Sequence, residues 1–194
     1  MADLTPVVPS EPMRMTVQRY FGLVETGVLA EDDRVELLEG VVVAMTPSNP
    51  RHAAVVSLAG EVLREAVGRR AAVRVQCTLS LAPYSAPEPD VAVVAGSHRE
   101  YLSAHPTTAL LVVEVSDASL QQDRITKAAI YAAAGIPEFW IVNLRDGVVE
   151  VRRSPDCERA LYREVLTLRG GERIALVELP GATVDVADLL PDPR

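Results

Sequence analysis

Two carboxylates stand where strands should be apolar. Asp90 lies in Glu88-Pro89-Asp90-Val91-Ala92-Val93-Val94, at the start of an apolar run, and Glu114 interrupts Leu110-Leu111-Val112-Val113-Glu114-Val115, which otherwise reads as a buried central strand. A bare carboxylate in such a setting needs a partner, a proton or a metal ion. An ion-paired acid at a strand end explains either residue alone. Two of them on successive strands suit a shared divalent cation, which offsets their repulsion and prefers hard oxygen ligands.

The helix expected after the second strand adds an amine. Asp123, Lys127 and Tyr131 recur every four residues and line one helix face. Among the 19 basic residues all but Lys127 are arginine, so a lysine here suggests a need for a compact, tunable charge. An ordinary Asp123–Lys127 surface pair explains the spacing equally well, but not why lysine occurs only here. Glu36 alternates with Leu37, so it either faces inward and completes a metal shell or lies on a solvated edge. His52, in the first turn of its helix, reads more readily as structural, and Gln76 on its strand is ambiguous.

These residues need a scaffold. Thr16 opens a helical pattern that stops at Gly27. Strands are expected over 35–38 and 41–45 around a Glu39-Gly40 turn. Asn49 can cap a helix with Pro50 in its first turn and an apolar stripe of Val55, Leu58, Val62 and Ala66. Further strands are expected over 73–81, 89–95 and 109–116. The Ser119-x-x-Gln122 capping box then opens a helix ending before Gly135 and Pro137. Strands over 138–144 and 148–153 flank an Asp146-Gly147 turn, and weaker ones follow toward Asp185. The expectation is an α/β, more closely α+β, fold with a mixed β-sheet flanked by helices. One domain spans 14–190, after a flexible tail over 1–13, and residues 191–194 fray.

Composition narrows the classes. Hydrophobic residues make up 48% of the 194, enough for a substantial core. No apolar run approaches the roughly 18–20 residues that cross a bilayer, and the N-terminal stretch lacks an apolar signal core, so no membrane partner and a cytoplasmic location are expected. Cys77 and Cys157 lie far apart without metal-ligand spacing and read as buried thiols. The net charge of −8 argues against a general phosphate-binding surface, though less against carboxylates that await a cation. Phosphate-loop, dinucleotide, zinc-peptidase and serine-hydrolase motifs are missing.

In order along the chain, Arg34-Val-Glu-Leu-Leu-Glu-Gly40, Pro50-Arg-His52, Pro87-Glu-Pro-Asp90, Val113-Glu-Val-Ser-Asp-Ala-Ser-Leu120, Asp123-Arg124, Lys127 and Tyr131 through Trp140 resemble the bacterial Uma-two family. That family is a branch of the restriction-endonuclease-like PD-(D/E)xK superfamily. The resemblance covers most of 14–190 and implies a restriction-endonuclease-like core, with Asp90 and Glu114 as metal ligands. Where the superfamily usually has its lysine, Ser116 stands; the lysine is displaced onto the next helix as Lys127. Glu39, Gln122 and Thr78 depart from the pattern without touching the proposed ligands.

The activity this implies is hydrolysis of nucleic-acid phosphodiesters, most readily DNA, with Mg²⁺ or Mn²⁺. Asp90, Glu114, Glu36 and the Val115 carbonyl would serve as metal ligands and Lys127 as the catalytic ammonium. His52, Gln76, Ser116, Asp123 and Tyr131 would support them. A homodimer is a further expectation, because double-strand cleavage usually needs two sites, and Phe139-Trp140 could belong to core or interface. Two rival readings remain: a non-catalytic interaction module on a nuclease-like scaffold, and an acidic protein that binds metal structurally.

Overall fold

The computed structural model describes residues 13–30 and 32–191. The tail expected over 1–13 lies outside the described residues except for Met13, as do residues 192–194 of the end expected to fray.

Helix α1 (Val17–Glu25) starts where the Thr16 side chain accepts a hydrogen bond from the Arg19 N–H. Strands β1 (Val35–Leu38) and β2 (Val41–Ala44) form an antiparallel hairpin. Its turn residues, Glu39 and Gly40, have φ of 53° and 83°, the paired left-handed conformation that matches strand twist. Gly40 is required there, since a Cβ would lie 2.6 Å from the Arg14 Cβ. Helix α2 (Pro50–Val67) is capped by Asn49, which accepts a 2.9 Å bond from the His52 N–H and so fixes His52 in the first turn.

The centre is a six-stranded sheet of β3 (Ala71–Val75), β4 (Val91–Ala95), β5 (Leu111–Ser116), β6 (Glu138–Asn143), β7 (Val148–Asp156) and β8 (Leu161–Leu168), in that spatial order. All neighbours are antiparallel except β5 and β6. Their parallel pairing requires a crossover. It is made by α3 (Leu120–Gln122), a π-helical turn (Asp123–Lys127) and α4 (Ala128–Ala133). Strands β9 (Arg173–Ala175) and β10 (Thr183–Asp185) pair separately, and α5 (Val186–Leu189) follows. The mixed sheet flanked by helices matches the expectation from sequence.

Both faces of the sheet are covered. On one, α2, α5 and β10 pack over Val73, Val91, Val113, Trp140 and Val151. On the other, α4 and residues of the hairpin and of 79–81 cover Ala92, Val112, Phe139 and Ile141. Alternation along β5 therefore points Glu114 and Ser116 at the α4 side, while Val113 and Val115 enter the α2 side. Phe139 and Trp140 are fully buried, which assigns them to the core.

Several details correct the sequence reading. The α2 stripe that meets the sheet is Val56, Ala59, Gly60, Leu63 and Val67 together with Val55; Leu58, Val62 and Ala66 are only half-buried. Close helix–sheet approach selects small residues, and counting large apolar ones misses them. Strand β3 ends at Val75 rather than running to 81, because Gln76 turns off with φ of 48°. Ser119 makes no capping hydrogen bond; its hydroxyl goes to Asp123 instead. The thiols are free but not buried: Cys77 is half-buried and Cys157 exposed in the turn between β7 and β8. The weak C-terminal strands include an eight-residue β8 that completes the sheet.

A Cβ on Gly60 would sit 2.9 Å from Val75 Cγ2. Gly60→Val should therefore destabilise the fold by about 2 kcal/mol through overpacking, read as a lower urea midpoint at unchanged m-value.

Candidate active site

Strand register builds the site. Val75 pairs with Val91 and Val91 with Val113, so the next row outward holds Gln76, Asp90 and Glu114 on three adjacent strands. The Gln76 N–H donates to the Asp90 carbonyl at 3.0 Å, extending the β3–β4 ladder by one residue. Its left-handed backbone departs from β3 here, and the amide Nε2 lies 3.5 Å from Asp90 Oδ1. Asp90 sits just before β4 begins. Its Oδ2 accepts the Val115 N–H at 2.8 Å and lies 3.3 Å from His52 Nε2, while His52 Nδ1 is 2.8 Å from the Ser48 hydroxyl.

Glu114 is buried among apolar neighbours, and Oε1 accepts hydrogen bonds from Lys127 Nζ at 3.0 Å and the Tyr131 hydroxyl at 2.7 Å. Lys127 Nζ also lies 3.6 Å from Glu36 Oε2, an oxygen that accepts the Glu88 N–H at 3.1 Å. Glu36 thus faces inward and is buried rather than lying on a solvated edge.

The π turn brings the helix residues here. The Ala128 N–H bonds back to the Asp123 carbonyl, five residues earlier, widening the turn between Asp123 and Lys127. Both side chains are buried, with Tyr131 a turn later, whereas Ile125 on the outer side is 65% exposed. Asp123 accepts hydrogen bonds from the Ser116 and Ser119 hydroxyls. Ser116 therefore acts through Asp123.

These groups surround a cavity of about 80 Å³ lined by Glu36, Glu88, Asp90, Glu114 and Asp123, with Lys127, His52, Gln76 and the backbone of Val115. Five carboxylates share the cavity with the Lys127 ammonium and the Arg34 guanidinium, an excess of negative charge. Burial, opposed by Lys127 and reinforced by Asp123, Asp90 and Glu36, pushes the Glu114 carboxyl up to about 8. Burial works against the Lys127 ammonium, but Glu114, Glu36 and Asp123 outweigh it and hold its pKa above the ordinary lysine range. Burial raises Asp123 despite Lys127 and the two serines. The hydrogen bond to Asp90 raises His52 against the effect of burial. Glu150 provides the contrast: burial raises it, but Arg124, Asn143 and Arg152 outweigh burial and hold it below the usual carboxylate range. Arginine-satisfied acids of that kind stabilise the fold, whereas perturbed acids converging on a cavity mark a functional site.

The donors suit a hard cation in kind: carboxylate oxygens and a backbone carbonyl, in excess negative charge, with protons a dication would replace. As placed, Asp90 and Glu114 are held by protein donors, and among the described residues no three His, Cys, Asp or Glu side chains are grouped as a ready cage. A cation would have to draw them together.

All ten residues singled out from sequence thus lie in one neighbourhood, Ser116 by way of Asp123 and Tyr131 by way of Glu114. Glu88 and Ser48 were overlooked. Glu88 was legible, since it shares the parity of Asp90 across Pro89; Ser48 depends on the loop conformation before α2.

The family described as "Putative restriction endonuclease", Uma2, matches residues 19–187. The chain belongs to the Uma2 family. Its restriction-endonuclease-like character accords with a solved structure, a "putative nuclease belonging to DUF820" from Anabaena variabilis. That structure has a TM-score of 0.70 at 17% identity, over 92% of this Uma2 chain and 97% of the other, a likeness of fold. No curated protein sequence matches the chain. Among the described residues no helix is long and apolar enough to cross a membrane.

Removing the ammonium alone should be worse than removing the pair. Lys127→Met strands Glu114 and should cost about 3 kcal/mol at neutral pH, while Lys127→Met with Glu114→Gln should recover much of it. The unfolded chain ionises Glu114 near 4.5, whereas the folded chain keeps the proton up to about 8 and, without Lys127, higher still. Both folded proteins carry that proton between 4.5 and 8 and lose stability in parallel, so the deficit of Lys127→Met should stay level there and grow as pH rises past about 8, where the wild type alone gives the proton up. Urea titrations of both variants at three pH values measure it.

Proposed function

We propose that this Uma2 protein is a metal-dependent endonuclease that hydrolyses phosphodiester bonds, with DNA as substrate and Mg²⁺ or Mn²⁺ as cofactor. The observation that carries the reading is the convergence of Asp90 and Glu114, from adjacent strands, with Glu36 and Lys127 on one small acidic cavity.

Asp90, Glu114 and the Val115 carbonyl would hold the cation, and Glu36 would support a second ion or orient water. Bound there, the cation would polarise a phosphoryl oxygen and lower the pKa of a water molecule. Lys127 keeps its proton in this setting, so it serves as a donor: it orients the attacking water or stabilises charge gathering on phosphorus. Tyr131 fixes Glu114 and withholds its own proton, since burial, followed by Glu114, raises its pKa well above the usual value. His52 and Gln76 orient Asp90, while Ser116 fixes Asp123.

The net charge of −8 favours a second reading, a non-catalytic interaction module on this scaffold. Supercoiled plasmid, linear duplex and branched DNA incubated with Mn²⁺ separate the two. The wild type should nick or linearise at least one substrate, and Asp90→Ala and Lys127→Ala should each lose about a hundredfold or more in rate. No metal-dependent cleavage of any substrate by the wild type would end the enzyme reading.

Cation binding should also release protons. Because Glu114 must give up a proton that it keeps to about 8, the Mn²⁺ binding heat at pH 7 should vary with buffer ionisation enthalpy, with roughly one proton released per ion. Glu114→Gln should lose that dependence along with most of the affinity. Calorimetry in phosphate-free buffers of differing ionisation enthalpy tests this.

A further inference from the structure

The acidic cavity, at about 80 Å³, has room for an ion and the reacting atoms but not for a nucleotide. Affinity for a polymer must come from elsewhere on the same face. A larger cleft of about 520 Å³ opens beside it, with Phe21 and Glu25 of α1, Arg74 of β3, Tyr101, Leu102 and His105 in its lining.

Its position follows from register. Arg74 pairs with Ala92, whose side chain lies in the core on the α4 side, as Glu114 does; two residues further along, Gln76 adjoins Asp90. The cleft thus begins about 7 Å along β3 from the acidic row.

Its lining carries aromatic and basic side chains, with Glu25 its one acid. The Phe21 and His105 rings stack on each other with centroids 5.1 Å apart at 15°, and His105 is the exposed member of the pair. Burial, then Arg74, lowers the His105 pKa, so at neutral pH the ring is an uncharged stacking surface. The Arg74 guanidinium lies 5.6 Å from the Tyr101 ring centroid, and its Nε is buried without a hydrogen-bond partner among the described residues. Arg124, Arg152 and Arg153 are each held by buried carboxylates, whereas among the described residues Arg74 has no acid within ion-pair distance. An unpaired guanidinium beside an exposed ring that ends an aromatic stack matches the two halves of a nucleotide, anionic phosphate and flat base.

We propose that this cleft is a nucleotide subsite in which an unpaired base of a nucleic-acid strand extends the Phe21–His105 stack on the outer face of His105 while Arg74 pairs with its phosphate. The subsite deepens the nuclease reading and rests on it. It also gives a chain of net charge −8 a local foothold on a polyanion. A base can reach the outer face of His105 only when it is out of a duplex, so the preferred substrate contains a single-stranded segment.

The test is fluorescence anisotropy of a labelled oligothymidylate, and of a fully paired duplex of equal length, with the full chain in chelator-containing buffer. Wild type is compared with Arg74→Gln, Arg74→Lys, Phe21→Leu and Asp90→Asn, each checked by thermal melting. Arg74→Gln and Phe21→Leu should each weaken single-strand binding about tenfold, and Arg74→Gln should lower the salt slope by about one. Arg74→Lys should keep the slope, and Asp90→Asn should bind at least as tightly as wild type. Wild-type affinity in both Arg74→Gln and Phe21→Leu, or no binding by the wild type, overturns the subsite. An equal loss on the duplex overturns the assignment to an unpaired base. Plasmid cleavage is scored separately, so failure of the subsite alone leaves the hydrolytic reading standing.

Discussion

A carboxylate on a strand buried from both sides is the constraint to which the rest of the site conforms. Glu114 sits on β5 with sheet neighbours on either side and α4 above it, so its carboxyl is cut off from bulk water and ionises at a cost. Lys127 and Tyr131 supply the missing donors. For both to reach it, the crossover helix must lie back over β5, and the parallel β5–β6 pairing requires a crossover of that kind. Across the wide turn at Asp123–Lys127 both charged residues stay directed inward, as their four-residue spacing would also place them in a regular helix. The same ammonium ties in Glu36, and with it the β1–β2 hairpin, which otherwise pairs with the main body at Leu37 and Ala86.

Much of this was legible in the residues. An acid inside Val-Val-Glu-Val cannot be neutral to folding, and alternation alone puts Asp90, Glu114 and their neighbours on one side of the sheet. The single lysine marked the amine. The limits of the reading were geometric. Regular helix periodicity placed Asp123, Lys127 and Tyr131 together, but nothing in Asp-Arg-Ile-Thr-Lys announces a π turn. Large apolar residues drew attention to Leu58 and Val62 of α2, while the tight approach to Val75 depends on Gly60. The end of β3 depends on the backbone of Gln76, a residue type with no strong turn preference, held there by its bond to Asp90. His52 reads as one more helix residue until the Asn49 cap fixes it over Asp90.

Buried charge is handled in two ways within one small protein. Glu138 and Glu150 are satisfied by arginines, Trp140 and Asn143, and they tie β6 and β7 to the C-terminal segment. Both carboxylates are fully paired there, although the Arg152 Nε is left without a partner among the described residues, and paired networks of this kind specify packing. The cluster around Glu114 is short of cations by the same measure, with five acids to the Lys127 ammonium and the Arg34 guanidinium. The shortfall is confined to the edge where β4 begins and β5 ends.

Arginine everywhere else and one concealed lysine have a practical corollary. An amine-directed ester has a single side chain to modify in this protein, and Lys127, 7% exposed, is shielded while Glu114 and Glu36 hold it. The rate of acylation at that position becomes an intrinsic footprint of how often the carboxylates let go, legible in a mass spectrum without any engineered label.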